Sequence, residues 1–368
     1  MRILLRPAMV AAAIAAAAAG PLSAQSVDGG QLRIHGYLTQ GYAVSEGAQH
    51  YGMNDQGSTD FRYAALQFRY DKKQDGFLLQ LSGRRLGASP IANFESSVNV
   101  NWMFYERRMT NGTQIRVGRV PVPRGIYNEQ RSIGVVLPFY RAPVIFYDEA
   151  AYFSETIDGV VVSRTFGADR SWSLDSHLYG GGWSLLSYDQ SGSAYSLGRV
   201  RAENAVGTQL WLNTPIEGLR FGAGAQRYLW RSIDETGALT SKQNVYELNG
   251  SVDGTFARLM LRAESLLQHY ETDHYYAHSA QAGYRITPRV ALNVMGEYAY
   301  EREYVAGVYP LNFDWHRTVG VGANYYFSPA LVLKLENHWD KGIQVEQPAS
   351  PLDPPRFHYF IASLSAAF

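Results

Sequence analysis

The chain has 368 residues, 33 basic against 33 acidic and no cysteine, so it offers no cationic surplus for nucleic acid and neither a disulfide framework nor thiolate chemistry. Gly 35, Tyr 26 and Trp 7 beside only 18% charged residues describe a chain that is polar on average yet rich in aromatics. No apolar run beyond the first residues reaches the ~18 residues of a membrane-spanning helix, and a closed barrel with an apolar outside and a wet inside accounts for the whole mixture.

The first residues read as an export leader. Arg2 and Arg6 accompany an alanine-rich apolar run over residues 8–19, and Gly20, Pro21 and Leu22-Ser23-Ala24 supply the helix break and small residues of a cleavage site. The run is shorter than the ~20 residues a spanning helix needs. Cleavage after Ala24 divides the chain into a leader, 1–24, and a single barrel domain, 25–368, with 31 basic residues against 33 acidic once Arg2 and Arg6 are gone.

A strand crossing an outer membrane takes ~9–11 residues and alternates lipid-facing with lumen-facing side chains. Sixteen such segments follow, at about 32–45, 59–70, 77–86, 97–108, 114–120, 151–165, 172–179, 199–213, 219–231, 242–252, 256–269, 275–285, 290–302, 313–327, 331–340 and 356–368. Phe77, Leu79 and Leu81 alternate with Leu78, Gln80, Ser82 and Arg84. Val98, Val100, Trp102 and Phe104 alternate with Asn99, Asn101, Met103 and Tyr105, the more apolar set being assigned to lipid. On the parity assigned to the lumen fall Arg84, Arg116, Arg258, Arg262, Glu264, Glu297, Lys334 and Glu336, charges that lipid would not tolerate.

Links between segments alternate in length. Turn-like links such as 71–76, 109–113 and 253–255 interleave with longer ones, above all 46–58, 120–150, 180–199, 303–312 and 341–355. Short periplasmic turns, long external loops and an even strand count are what this barrel class requires. Two segments fit poorly: 114–120 puts Arg119 on the face of Ile115 and Val117, and 151–165 carries polar residues on both faces.

The last segment ends in Phe360, Ala362, Leu364, Ala366 and Phe368, all of one parity with an aromatic as the final residue. The third external link is the longest; it contains Pro121, Pro123, Pro138 and Pro143, the cations Arg124, Arg131 and Arg141, and the carboxylates Glu129, Asp148 and Glu149. With the leader, these two features resemble the superfamily of Gram-negative general porins. The resemblance implies a transmembrane antiparallel β-barrel of about 16 strands whose third external loop folds into the lumen and sets opposite charges across a constriction. It also implies residence in the outer membrane, with Phe368 as the signal read by the barrel-assembly machinery. The expected function is passive diffusion of small hydrophilic solutes or ions, with outer-membrane lipids as the surroundings and with monomer and homotrimer both open.

Enzymatic parts are not found: there is no G-x-S-x-G elbow and no H-E-x-x-H helix. Nine histidines are scattered; His269 and His274 flank a short link with Glu271 and Asp273, but no spacing of a structural metal site is present. Neither cofactor nor metal is expected. The alternative is an outer-membrane enzyme, or an adhesion or binding barrel, with a filled interior.

Overall fold

The computed structural model describes residues 25–87, 98–147, 155–168, 170–191, 194–234, 236–271, 273–305, 308–343, 345 and 353–368. The predicted leader, 1–24, and the charges Asp148 and Glu149 lie outside the described residues. A short arm, β1 (Gln25–Val27), folds back on the start of β2 (Gly30–Glu46). From β2 the chain runs through β3 (Ser58–Lys72), β4 (Asp75–Leu86), β5 (Asn99–Arg108), β6 (Gln114–Pro121), α1 (Val144–Tyr147), β7 (Thr156–Phe166), β8 (Ser173–Ser191), β9 (Ala194–Asn213) and β10 (Leu219–Ile233). It continues through β11 (Leu239–Phe256), β12 (Leu259–His269), β13 (His274–Thr287), β14 (Val290–Val305), β15 (Val308–Ser328), β16 (Leu331–Gly342) and β17 (Arg356–Ala367).

Every consecutive pair from β2 to β17 is antiparallel, and β17 pairs with β2 from His358↔Glu46 to Ala367↔Tyr37. The sixteen strands therefore close on themselves, each paired on both sides over part of its length. At the seam the last residue completes the ladder: Gly36 N donates to Phe368 O at 2.9 Å, and Phe368 N to Gly36 O at 3.0 Å. Gly36 is needed there, because a Cβ would lie 2.1 Å from the Phe368 ring.

Period-two sorting of side chains builds the wall. On β11, Tyr246, Leu248 and Val252 are exposed on the outside, while Glu247, Asn249, Ser251 and Asp253 are buried toward the axis. An isolated sheet with this pattern would be inside out in water. Its polar face makes sense around a polar interior and its apolar face against lipid.

All sixteen predicted strands exist, but three expectations change. The links predicted over 180–199 and 303–312 are mostly strand: β8 runs to Ser191 and β9 starts at Ala194, β14 runs to Val305 and β15 starts at Val308. Polar composition marked these stretches as loops, yet ladder hydrogen bonds need no apolar side chains once the hairpin stands in water. On β5, Trp102 and Phe104 are buried inside the barrel and Met103 and Tyr105 are exposed, the reverse of the predicted parity. Trp102 donates to Glu155 at 2.9 Å and Arg116 stacks over Phe104, so these rings serve interior polar partners. Arg119 does share the outer face with Val117, but its guanidinium makes a two-point pair with Asp158 of β7, at 2.8 and 2.9 Å. The polar residues that made 151–165 look two-faced include that partner.

Candidate functional site

Residues 122–155, between β6 and β7, form the longest link, and its described part runs across the barrel interior. Its neck is cinched by Val122 N donating to Glu155 O at 3.0 Å and by Asn128 Nδ2, which donates to both Val122 O and Glu155 O. Pro121 and Pro123 restrict the chain as it leaves β6. Gly125 then turns at φ 59°, in the left-handed region, where a Cβ would sit 2.2 Å from the Tyr147 hydroxyl.

One wall holds the loop. Gln209 of β9 accepts from Gly125 N, and Glu264 of β12 accepts from Ile126 N at 2.8 Å and from Tyr147 Oη at 2.6 Å. Arg262 donates to Tyr127 Oη at 3.0 Å, and Tyr127 donates in turn to Gln281 of β13. Glu297 of β14 accepts from Val144 N and Ile145 N, Asn324 of β15 donates to Pro138 O, and Lys334 of β16 donates to Phe139 O at 2.7 Å. Arg124 is sealed in this contact: it pairs with Glu247 of β11 at 2.5 Å, donates to Phe146 O at 2.7 Å and stacks over the Phe146 ring. Burial opposes its charge, but Glu247 outweighs burial and raises the Arg124 pKa. Burial, reinforced by Glu264, holds the Tyr147 hydroxyl well above its ordinary pKa, so it stays a donor at neutral pH.

Toward the opposite wall, which Tyr140 meets in an apolar cluster with Ala43, Phe61 and Leu86, space remains. A cavity of about 440 Å³ lies between the loop and β2–β8, lined by Tyr63, Arg84, Asn101 and Trp183 from the wall and by Arg131, Ser132, Tyr140 and Arg141 from the loop. A second, of about 360 Å³, lies nearer the turn-bearing rim, lined by Glu129 and Gln130 of the loop and by Ser163, Asp175, His177 and Arg220 of the wall. Between these linings stands a charge ladder. Glu106 receives Arg69 at 2.6 Å, Arg108 at 2.7 Å and Arg116 at 3.1 Å; Arg116 reaches Glu129 at 3.2 Å, and Arg131 reaches Glu155 at 3.3 Å.

The predicted site residues therefore divide. Arg84, Arg116, Glu129, Arg131 and Arg141 are brought together on the open side, Arg141 lying over the Tyr51 ring at 4.1 Å. Arg124, predicted as a constriction charge, is instead a buried anchor, as are Glu264, Glu297 and Lys334 on the wall, with the half-buried Arg262 holding Tyr127 beside them. Glu336 is buried beside His338 at 3.2 Å. Arg258 is not on the wall: it is exposed in the two-residue turn between β11 and β12. Sequence reading missed Glu106, Arg69, Glu247 and Glu155. Glu247 was findable, as a carboxylate between the apolar Tyr246 and Leu248; Glu106 was hidden by sharing its face with Trp102 and Phe104.

No family model matches the chain, and no curated protein matches it. Solved structures do. OmpT, an outer membrane protein of Vibrio cholerae, is 11% identical with a TM-score of 0.61, covering 94% of this chain and 100% of that one. The outer membrane channel DcaP of Acinetobacter baumannii is 9% identical with a TM-score of 0.59 over the same shares. Salmonella typhi OmpF, solved in complex with daunomycin, is 11% identical with a TM-score of 0.57, again over 94% and 100%. At such identities the similarity shows the fold: a closed 16-stranded antiparallel barrel of the outer-membrane type.

Proposed function

We propose that this barrel is a passive diffusion channel for small hydrophilic solutes or ions in the outer membrane of a Gram-negative bacterium. The carrying observation is the one-sided placement of the internal loop. It is fastened chiefly to β9 and β11–β16, meets the other wall through Tyr140 and the Glu129–Arg116 pair, and leaves space along β2–β10, where contiguous loop residues, Glu129-Gln130 and Arg131, line the cavities on the two sides. Opposite charges along that space order polar solutes and reject apolar ones, since each charge acts more strongly beside a low-dielectric wall than in open water. The filled-barrel alternative draws on the apolar residues of the loop, among them Leu137, Ile145 and Phe146, that pack with Leu266, Tyr275 and Ala277 of the wall.

Purified protein in a planar bilayer decides between them. Discrete current steps with a reproducible reversal potential in a salt gradient support the channel, and silence of a folded protein supports the filled barrel. Assembly as a homotrimer, as in the trimeric form of the Vibrio cholerae OmpT, is part of the same proposal and is read from native mass.

A further inference from the structure

On the outer face, two neighbouring rows of side chains cross the strands in register. The row nearer the loop-bearing rim runs Ser265, His278, Tyr298, Arg317, Lys341, Arg356, each directly opposite the next on β12 to β17. The row beneath it runs Ala263, Ala280, Gly296, Val319, Trp339, His358. The small residues at one end of the lower row sink the surface, and a shallow groove of about 1300 Å³ follows both rows. Val319, Val321, Leu335 and Trp339 are exposed on and below the lower row.

Three cations in adjacent cross-strand positions repel one another, and like charges directly opposite on a sheet destabilise it. Arg317 is partly neutralised by Asp314 at 2.6 Å, and at the far end of the lower row Glu46 bonds His358 at 3.2 Å. Asp314 also attracts Lys341 from beyond salt-bridge distance, and among the described residues neither Lys341 nor Arg356 makes a direct ion pair with a carboxylate. An anion bridging the row would remove the repulsion, and guanidinium forks suit phosphate oxygens. Directly below, the surface becomes apolar with Trp339 at the change, which is how a protein face meets a headgroup above and acyl chains beneath.

We infer that this groove binds an acylated lipid with a phosphorylated headgroup, its phosphates bridging Arg317, Lys341 and Arg356 and its chains lying along Val319, Val321 and Leu335. The inference rests on the barrel standing in an outer membrane and is independent of whether it conducts. Delipidated protein is titrated with lipid A, a diphosphorylated acylated glycolipid, and followed by native mass spectrometry. Wild type should retain one lipid A, and R317Q/K341Q/R356Q should bind on the order of 100-fold more weakly, from ~1 kcal/mol per cation. R356Q alone, the gentler change, should bind about fivefold more weakly. R285Q/R289Q, which removes exposed charges near the opposite rim, should change nothing. Channel current of the triple variant should match wild type, so a silent barrel would count against the channel and leave the lipid site to be judged on mass alone. Equal retention by the triple variant, equal retention of dephosphorylated lipid A, full displacement by inorganic phosphate, or a change of oligomeric mass in place of lipid loss would each overturn the assignment.

Discussion

Arg124 of the loop and Glu247 of β11 form an ion pair from which water is wholly excluded, with Nε and Oε1 2.5 Å apart and neither side chain exposed. Removing one member leaves the other charged and buried, at a cost of ~3–5 kcal/mol, whereas replacing both by apolar groups of similar volume is often far milder. R124M and E247M should each lower the guanidinium midpoint of detergent-solubilised protein, and R124M/E247M should lie closer to wild type than the two losses added together. Additive losses would show that the pair does not act as a unit.

Selectivity should follow the open side of the lumen, not the loop's whole charge. Neutralising Arg84, Arg131 and Arg141 to Gln should move the reversal potential in a salt gradient toward cations, while Arg124 contributes nothing to the shift because it does not meet the solution. Deleting Gly125 to Pro138 should raise single-channel current. Unchanged current and potential in both variants would mean that ions do not pass beside this loop.

Glu106 should act in the opposite sense. It is nearly inaccessible yet receives Arg69, Arg108 and Arg116. Glu106→Gln leaves three guanidinium groups facing one another beside the path, so the lumen should become more anion-selective and the barrel less resistant to denaturant. Bi-ionic potentials measured on the variant carry the test; a shift toward cations would contradict the placement of these arginines.

The contact between Gly36 and Phe368 should make this buried glycine intolerant of substitution. Gly36→Ala places a methyl group 2.1 Å from the terminal ring, so the heat-modifiable folded band on gel electrophoresis should form slowly and incompletely. Phe368→Leu in the Gly36→Ala background should restore part of the yield if steric conflict is the cause. No recovery would locate the defect elsewhere.

Much of this molecule is legible without coordinates because a barrel wall is a one-dimensional code. Period-two alternation and turn residues located all sixteen strands, and Arg84, Arg116 and Arg262 could be placed inward from parity alone. The roles of those residues were not legible, since role depends on which wall the loop leans against. Lys334 and Glu264 have the look of pore charges until Phe139 O and Ile126 N are found at the end of them. Trp102 and Phe104 misled for a related reason: an interior crossed by a loop has its own apolar pockets, so an aromatic on the inner face is no longer a contradiction.

The length of β8 and β9 gives the barrel a profile. At ~3.3 Å per residue and a tilt of ~35–45°, strands of 19 and 20 residues rise on the order of 45–50 Å, against an apolar band ~25 Å tall. Neighbouring β6 and β7, with 8 and 11 residues, have no such reserve. Among the described residues the rim is therefore uneven, with β8 and β9 standing tall beside the short β6 and β7, and β15, of 21 residues, rising on another flank. On the proposed channel reading, a bulky molecule arriving from the loop side meets these tall hairpins first, whereas a small one can pass between them toward the cavity that Arg84 and Arg131 line.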